Sequence, residues 1–347
     1  MKIKVQTKGG SYDFDCGPEE TLLYAGLRNG LSLPYECATG TCGTCRARVV
    51  EGKTHLEWAD APGMSYVKQE KKEILMCQAR ARGDCTLRVP GKMTGEIKRD
   101  RWPSYFDGQV NNCRLVTHDV SLFDVKLDKP TSFDAGQFVL LESDEVVGTR
   151  AYSMVNYDRE TNKLVFVIKR KHDGKFSDWI FDNNVEGKSI KIFGPLGCAT
   201  FHPKENKNIL CIAGGSGIAG MMAIVSHGCQ SSYFKTHNGF IFFGVRSKKD
   251  IFFLEELSNY VMKYPENLEV TIALSEETNA TGLQKCYQNL RFATGFVHAV
   301  VSEHMTDKYL DMLAYVAGPP PMVDSALRML VLEAKFPGTD IRYDKFT

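Results

Sequence analysis

Four cysteines constrain this chain more than anything else in it. Cys37, Cys42 and Cys45 stand in the run Cys37-Ala38-Thr39-Gly40-Thr41-Cys42-Gly43-Thr44-Cys45, and Cys77 follows after thirty-one intervening residues. That is the C-x4-C-x2-C…C spacing of a [2Fe–2S] site. Three thiolates inside nine residues must wrap one compact core, and Gly40 and Gly43 free the backbone to take positive φ and turn amide N–H groups toward sulfur. Zinc is the competing occupant. Its ribbons combine two separated C-x2-C pairs into a tetrahedron, whereas this chain supplies one such pair and two single cysteines. The eleven cysteines are an odd number in a long chain, and its start, Met1-Lys2-Ile3-Lys4-Val5-Gln6, alternates like a strand and carries no export signal. Reduced thiols, metal ligation and a cytoplasmic location are therefore expected. Cys16, Cys85 and the five scattered cysteines from Cys113 onward read as small buried hydrophobes.

A chain of 347 residues exceeds the roughly 250–300 that one core supports, so two or three domains are expected. Hydrophobic residues at 43% against 24% charged exclude wholesale disorder, and 43 basic against 42 acidic side chains leave no global attraction to nucleic acid or anionic lipid. Apolar runs such as Gly239–Val245 fall far short of the roughly 18 residues a membrane helix needs. The segments order themselves by rhythm. Residues 1–92 hold the cysteine loop, with strands at Lys2–Thr7, Ser11–Cys16, Arg46–Val50 and Thr86–Val89 and a helix running from Pro18-Glu19-Glu20-Thr21 to Asn29-Gly30. Residues 93–105 mix glycine, charge and proline without periodicity and read as a linker. Residues 106–202 show short strands with turn punctuation, the pattern of a small antiparallel barrel, interrupted by one helix at Phe176–Phe181. From 203 to 347 the pattern changes to apolar strand, glycine turn and helix, with strands at Asn208–Ala213, Gly239–Val245, Leu268–Leu274 and Leu313–Ala317 and a helix at Phe252–Lys263. This is the rhythm of a parallel α/β sheet.

Two further motifs carry chemistry. Arg150-Ala151-Tyr152-Ser153 brings together a cation for phosphates, a flat ring to lie beside an isoalloxazine and a hydrogen-bond donor for its reactive nitrogen, which is what a flavin requires. Val167 and Lys169 precede Gly174-Lys175-Phe176-Ser177, a glycine turn opening a helix whose free N–H groups suit phosphate. Farther on, Gly214-Gly215-Ser216-Gly217 leaves an apolar strand and enters a helix, placed to receive a pyrophosphate. The acidic residue that a Rossmann fingerprint carries after its second strand is missing; Arg246 stands there instead. Gly318, Pro319 and Met322, in Ala317-Gly318-Pro319-Pro320-Pro321-Met322, mark a second turn at the carboxyl edge of a strand, where open α/β sheets bind ligands.

In this order the cysteine loop, the R-x-Y-S segment and the glycine turn with its Gly-Pro-Pro-Pro-Met partner resemble the reductase components of bacterial multicomponent oxygenases, over essentially the whole chain. The resemblance implies a multidomain protein: an α+β ferredoxin-like (β-grasp) domain with one plant-type [2Fe–2S] cluster, an antiparallel β-barrel domain with one FAD, and an α/β parallel-sheet nucleotide-binding domain. It implies electron flow from a nicotinamide through FAD and the cluster to an oxygenase component or its ferredoxin, with no nucleic acid as partner, the chain acting as a monomer and the oxygenase working on aromatic or alkyl compounds. Ser153 and the C-terminal Phe346 are expected beside the reacting part of the flavin. Ala317 departs from the cysteine common among relatives, and Gly220 from their proline. Arg246, Lys248 and Lys249 would suit the 2′-phosphate of NADPH, but NADPH-using relatives carry a serine–arginine pair where this chain has Ser275-Glu276-Glu277, so NADH is the expected donor. A non-oxygenase acceptor and a cluster-based redox sensor are the rival readings.

Overall fold

The computed structural model describes residues 1–91 and 102–345. Contacts divide the chain into two compact units: Met1–Tyr105 with Thr149–Ala151 and Ile192–Leu196, and the rest, Phe106–Gly148, Tyr152–Lys191 and Gly197–Thr347.

In the first unit β1 (Lys2–Thr7) and β2 (Gly10–Asp15) form an antiparallel hairpin, followed by α1 (Leu22–Arg28), β3 (Arg46–Glu51), β4 (Thr54–Leu56), β5 (Glu73–Leu75), β6 (Ala79–Ala81) and β7 (Cys85–Arg88). The main sheet runs β2-β1-β7-β3-β5, with β7 returning parallel to β1, and β4 and β6 pair separately. Six of the seven residues of α1 are buried. The helix begins later than Pro18–Thr21 suggested because Thr21 is its N-cap, its hydroxyl accepting from Tyr24 N at 3.4 Å. It stops as expected, with Gly30 at φ +83°.

A barrel-like sheet follows: β8 (Ser104–Leu115), β9 (Val120–Thr131), β10 (Phe138–Ser143), β11 (Val146–Ser153), β12 (Thr161–Lys169), α2 (Lys175–Asp182) and β13 (Ser189–Leu196), in the order β11-β10-β13-β8-β9-β12. Most of the expected linker lies outside the described residues, and its end corrects the reading, since Ser104 and Tyr105 already belong to β8. The R-x-Y-S segment lies at the end of a strand, β11.

The last sheet is wholly parallel. Its elements are β14 (Asn208–Gly214), α3 (Ile218–Gln230), β15 (Gly239–Val245), α4 (Leu254–Lys263), β16 (Leu268–Leu274), α5 (Thr281–Cys286), β17 (Arg291–Thr294), α6 (Val297–His304), β18 (Met312–Gly318), α7 (Pro320–Arg328) and β19 (Ile341–Lys345), with strand order β17-β16-β15-β14-β18-β19. Alternate residues of β14 enter opposite cores. Ile209, Cys211 and Ala213 pack with α3, and Leu210 and Ile212 pack with α6 and α7. The first of these cores also takes in Val120, Ala135, Val167 and Phe201, so it continues beneath the barrel-like strands of the same unit. The order reverses at β14, whose neighbours are β15 on one side and β18 on the other, and a crevice at the carboxyl edge is the usual consequence. Helix α4 begins at Leu254 and not at Phe252: a capping box between Ser247 and Asp250 closes a short turn first, and Phe253 at φ +65° must reverse the chain before the helix starts. Among the described residues no helix is long and apolar enough to cross a membrane.

Candidate functional site

The cysteine loop is folded by its own backbone. The N–H groups of Thr39, Thr41 and Cys42 approach Cys37 Sγ at 3.4, 3.4 and 3.3 Å, and Thr44 N approaches Cys42 Sγ at 3.5 Å. This needs tight curvature, supplied by Gly40 at φ +93° and Gly43 at φ +76° and also by Ala38 at φ +57°, a position where a side chain is strained. Tyr24 of α1 donates its hydroxyl to Ala38 O at 2.9 Å, and Gly63 N donates to Gly40 O at 2.8 Å, so the loop is pinned from two sides. Cys77 arrives on the turn after β5. Its sulfur lies 3.2 Å from Cys45 Sγ, and Met76 N bonds to Cys45 O at 3.0 Å. Cys37, Cys45 and Cys77 are buried, and Cys42 is half-buried.

The Cys42 thiol and the converging amides hold Cys37 well below the usual thiol range. Four soft sulfurs, two of them receiving backbone N–H groups, are a donor set that fits an iron–sulfur cluster, because amide hydrogen bonds stabilise electron-rich sulfur. The half-buried Cys42 marks the edge of the loop nearest solvent. Tyr66 lies over that edge, 57% exposed, and leaves no room for a side chain at Gly43, where a Cβ would come within 2.7 Å of the ring.

Of the remaining cysteines, Cys16 and Cys85 are buried and burial pushes each thiol up to about 11. Cys198 and Cys286 are exposed and Cys113 is half-buried, which corrects the expectation that all the scattered cysteines are core residues: Cys113 lies on β8 with its sulfur 3.4 Å from Ser121 Oγ, Cys198 follows β13, and Cys286 ends α5.

The flavin-type residues sit on β11 and α2. Alternation along β11 puts Arg150 and Tyr152 on one face and Ser153 on the other. The Arg150 guanidinium donates to Thr149 O at 2.9 Å, and the Tyr152 ring centroid lies 5.5 Å from that of Phe176 at the start of α2. Ser177 is buried and ties the turn shut, donating to Gly174 O at 2.8 Å and accepting from Lys171 N at 3.1 Å. Lys175 opens α2, exposed, and Val167 is buried in the core. Lys169 is engaged with the Asp119 carboxylate at 2.5 Å.

The two turns of the nucleotide-type crevice meet backbone to backbone. Ala213 and Ala317 are partners on the adjacent strands β14 and β18. Just beyond them a Cβ at Gly217 would lie 2.4 Å from Ala317 O, and one at Gly318 would lie 3.0 Å from Gly214 O and 2.5 Å from Met322 Cε. Met322 therefore lies across both turns. Gly215 has φ +53° and nothing within 4 Å of where its Cβ would be, and Ser216 is half-buried between it and Gly217. Gly217 leads into α3 with no side-chain cap, so the first amides of that helix have no partner from a capping residue. Gly220 in the first turn of α3 comes within ordinary contact of Ser153: a Cβ at Gly220 would lie 3.7 Å from Ser153 Cβ, which brings the R-x-Y-S strand up to the glycine turn. Pro319 caps α7. Phe346 lies outside the described residues; the stretch before it, β19, pairs with β18 at the edge of the sheet.

Comparison with known proteins agrees with this layout. Residues 5–82 match the 2Fe-2S iron-sulfur cluster binding domain, residues 107–201 the oxidoreductase FAD-binding domain and residues 211–328 the oxidoreductase NAD-binding domain. The ferredoxin–NAD(P)+ reductase CarAd of Metapseudomonas resinovorans is 34% identical, over 100% of this chain and 99% of its own length. The chain belongs to the ferredoxin–NAD(P)+ reductase family. This reductase is also 30% identical to the ferredoxin–NAD+ reductase component of the alkene monooxygenase system of Xanthobacter autotrophicus, over 96% of this chain and 97% of that one. The solved structure of the ferredoxin reductase in carbazole 1,9a-dioxygenase covers 100% of it, with 99% of that chain matched, at a TM-score of 0.84 and 31% identity.

The reductase is thus an oxidoreductase with iron–sulfur, FAD-binding and NAD-binding parts. Sequence reasoning missed several residues that shape these sites. Tyr24 and Tyr66 act on the cysteine loop from far along the chain and leave no local signal. Asp250 does leave one, because Ser247-Lys248-Lys249-Asp250 has the spacing of a capping box.

Proposed function

We propose that this chain takes a hydride from NADH at an FAD held on β11 and α2 and passes electrons singly, through a [2Fe–2S] cluster ligated by Cys37, Cys42, Cys45 and Cys77, to an oxygenase component or that component's ferredoxin. The observation that carries the reading is the meeting of three motifs in the second unit: Ser153 at the first turn of α3, and the Gly214–Gly217 turn against Ala317-Gly318. A hydride donor lying across the two turns would have its end beside Ser153. FAD, when bound, converts a two-electron donation into the single-electron steps an iron–sulfur cluster accepts. The chain's own residues do the rest. Arg150 and the amides at the start of α2 neutralise flavin phosphates, Tyr152 offers a flat face beside Phe176, and the Ser153 hydroxyl donates toward the reactive ring. The amides of the glycine turn and of the α3 N-terminus receive the nucleotide pyrophosphate, with Met322 and Pro319 bounding the crevice. Oxygenase systems are named for similar reductases, an alkene monooxygenase system and a naphthalene 1,2-dioxygenase system among them, and that likeness supports an oxygenase acceptor working on aromatic or alkyl compounds. Action as a cytoplasmic monomer belongs to the same reading.

NADH is favoured over NADPH by the residues after β16. Glu277 accepts from Lys248 N at 3.0 Å and lies 3.8 Å from Lys248 Nζ, so a carboxylate already faces one of the cations that would greet a 2′-phosphate. Metal and flavin analysis of the purified protein is expected to give about two irons, two labile sulfides and one FAD per chain, with NADH bleaching the spectrum. In steady state, kcat/KM for NADH is expected to exceed that for NADPH by at least about tenfold, or about 1.4 kcal/mol. Zinc in place of iron would overturn the cluster, and equal use of the two nucleotides would overturn the donor.

A further inference from the structure

Resting on the reading of NADH as donor, we propose that Asp119, a residue of the turn between β8 and β9, acts alongside Glu277 in that preference by cancelling the positive charge of Arg246. Arg246 is the residue directly after β15, the strand beside β14 on the side away from β18. A dinucleotide whose pyrophosphate lies at the α3 N-terminus and whose reacting end lies toward β18 places its adenosine ribose over β15. That is where an arginine accommodates a 2′-phosphate and an acidic residue accepts from a 2′-hydroxyl. Half-exposed and always charged, Arg246 would by itself make this a site for NADPH.

Two carboxylates hold it. Arg246 Nη2 lies 3.4 Å from Asp250 Oδ1 and 3.7 Å from Asp119 Oδ2. Asp250 is 5% exposed and committed locally, its other oxygen accepting from Ser247 N at 2.9 Å and Ser247 Oγ at 2.7 Å. Asp119 comes from a different part of the unit and is fixed there by Thr117, whose hydroxyl lies 3.2 Å from Oδ1, and by Arg170 N, which donates to Asp119 O at 2.7 Å. Asp119 also holds Lys169 at 2.5 Å, and His118 Nε2 stands 3.6 Å from Asp119 and 3.9 Å from Asp250.

The charges therefore close. Two cations, Lys169 and Arg246, face two carboxylates, so each positive charge of the group has a negative partner. Neutral Asn in place of Asp119 keeps the shape and leaves one positive charge uncompensated beside where the ribose would lie. For partly exposed charges the effect is small, but it acts on one nucleotide and not on the other.

The test compares kcat/KM for NADH and NADPH, and inhibition by 2′-AMP against 5′-AMP, in the holoenzyme and its Asp119→Asn, Arg246→Ala and doubly substituted forms. Asp119→Asn is expected to raise the NADPH-to-NADH ratio by roughly three- to tenfold and to strengthen 2′-AMP inhibition by a similar factor. Adding Arg246→Ala is expected to abolish both gains, which separates the effect from any release of Lys169. A wild type that prefers NADH and an Asp119→Asn ratio that does not move, or a gain that survives loss of Arg246, would overturn the role of Asp119. A wild type that uses both nucleotides equally would overturn the donor reading itself. Flavin content of each variant shows whether Lys169 has been disturbed, and a ratio change that tracks flavin loss would also count against the proposal.

Discussion

Cys77→Ser is expected to cut NADH-driven reduction of cytochrome c by at least about 100-fold while leaving NADH-driven reduction of ferricyanide within about twofold of the wild type. Ferricyanide is expected to draw from the flavin and cytochrome c from the cluster, so the two acceptors would sample different points of the chain. Serine nearly matches cysteine in size but offers a hard oxygen for a soft, ionised sulfur, and Cys77 is buried with its sulfur 3.2 Å from Cys45 Sγ. Removing an outer partner of a metal ligand already costs about 10–100-fold in affinity, so losing a ligand sits at or beyond that upper end. Iron bound per chain should fall in parallel. Should the buried substitution disturb folding, Cys42→Ser at the half-buried position is expected to show the same split between acceptors. Cytochrome c reduction that persists after iron is lost would take the cluster off the electron path.

The cysteine loop was legible because its chemistry is written in spacing. A cluster ligand set leaves three cysteines within nine residues, and the glycines at 40 and 43 stand where the backbone takes φ of +93° and +76°. What spacing does not carry is support from distant residues. Tyr24 reaches Ala38 from fourteen positions away, and nothing in its neighbourhood distinguishes it from any other tyrosine of a buried helix. The parallel sheet was legible for a similar reason, since β14 and β15 are near-continuous apolar runs with both faces buried and alternation does not blur them.

Short or polar elements were harder to read. β4, β6 and β17 are three or four residues long and hold their place through neighbours, not through their own pattern. β11 went unread for a different reason. Its run Val146–Ser153 is half-buried along most of its length, so the two-residue alternation that marks a strand is absent, and its residue types suit a ligand better than a core. The roles of Lys169 and Arg246 show the limit of reading charge from sequence. Each is a cation at a plausible phosphate position, yet both are turned toward Asp119, which lies fifty residues before one and far before the other.

Gly217→Ala is expected to slow flavin reduction by NADH about 100-fold, with flavin and iron content unchanged. The reason is steric and not conformational. Gly217 has φ −62° and ψ −14°, which alanine adopts freely, but its Cβ would lie 2.4 Å from Ala317 O, 2.6 Å from Ala317 C and 2.7 Å from Gly318 N. These are backbone atoms of β18, held on both sides by ladder hydrogen bonds to β14 and β19, and cannot yield as a flexible side chain would. Relief requires the two turns to part by about 1 Å, and a displacement of that size in a reacting geometry costs about 100-fold; the overpacking itself costs about 1–3 kcal/mol of stability. Gly215→Ala is the instructive contrast. At φ +53° it strains the backbone by about 1 kcal/mol, yet nothing lies within 4 Å of the new methyl group, so the turns keep their spacing. Stopped-flow reduction of the flavin by NADH should therefore rank the variants in the order wild type, Gly215→Ala, Gly217→Ala. The opposite ranking would mean that backbone conformation at the turn, and not the closeness of its approach to Ala317-Gly318, governs hydride transfer.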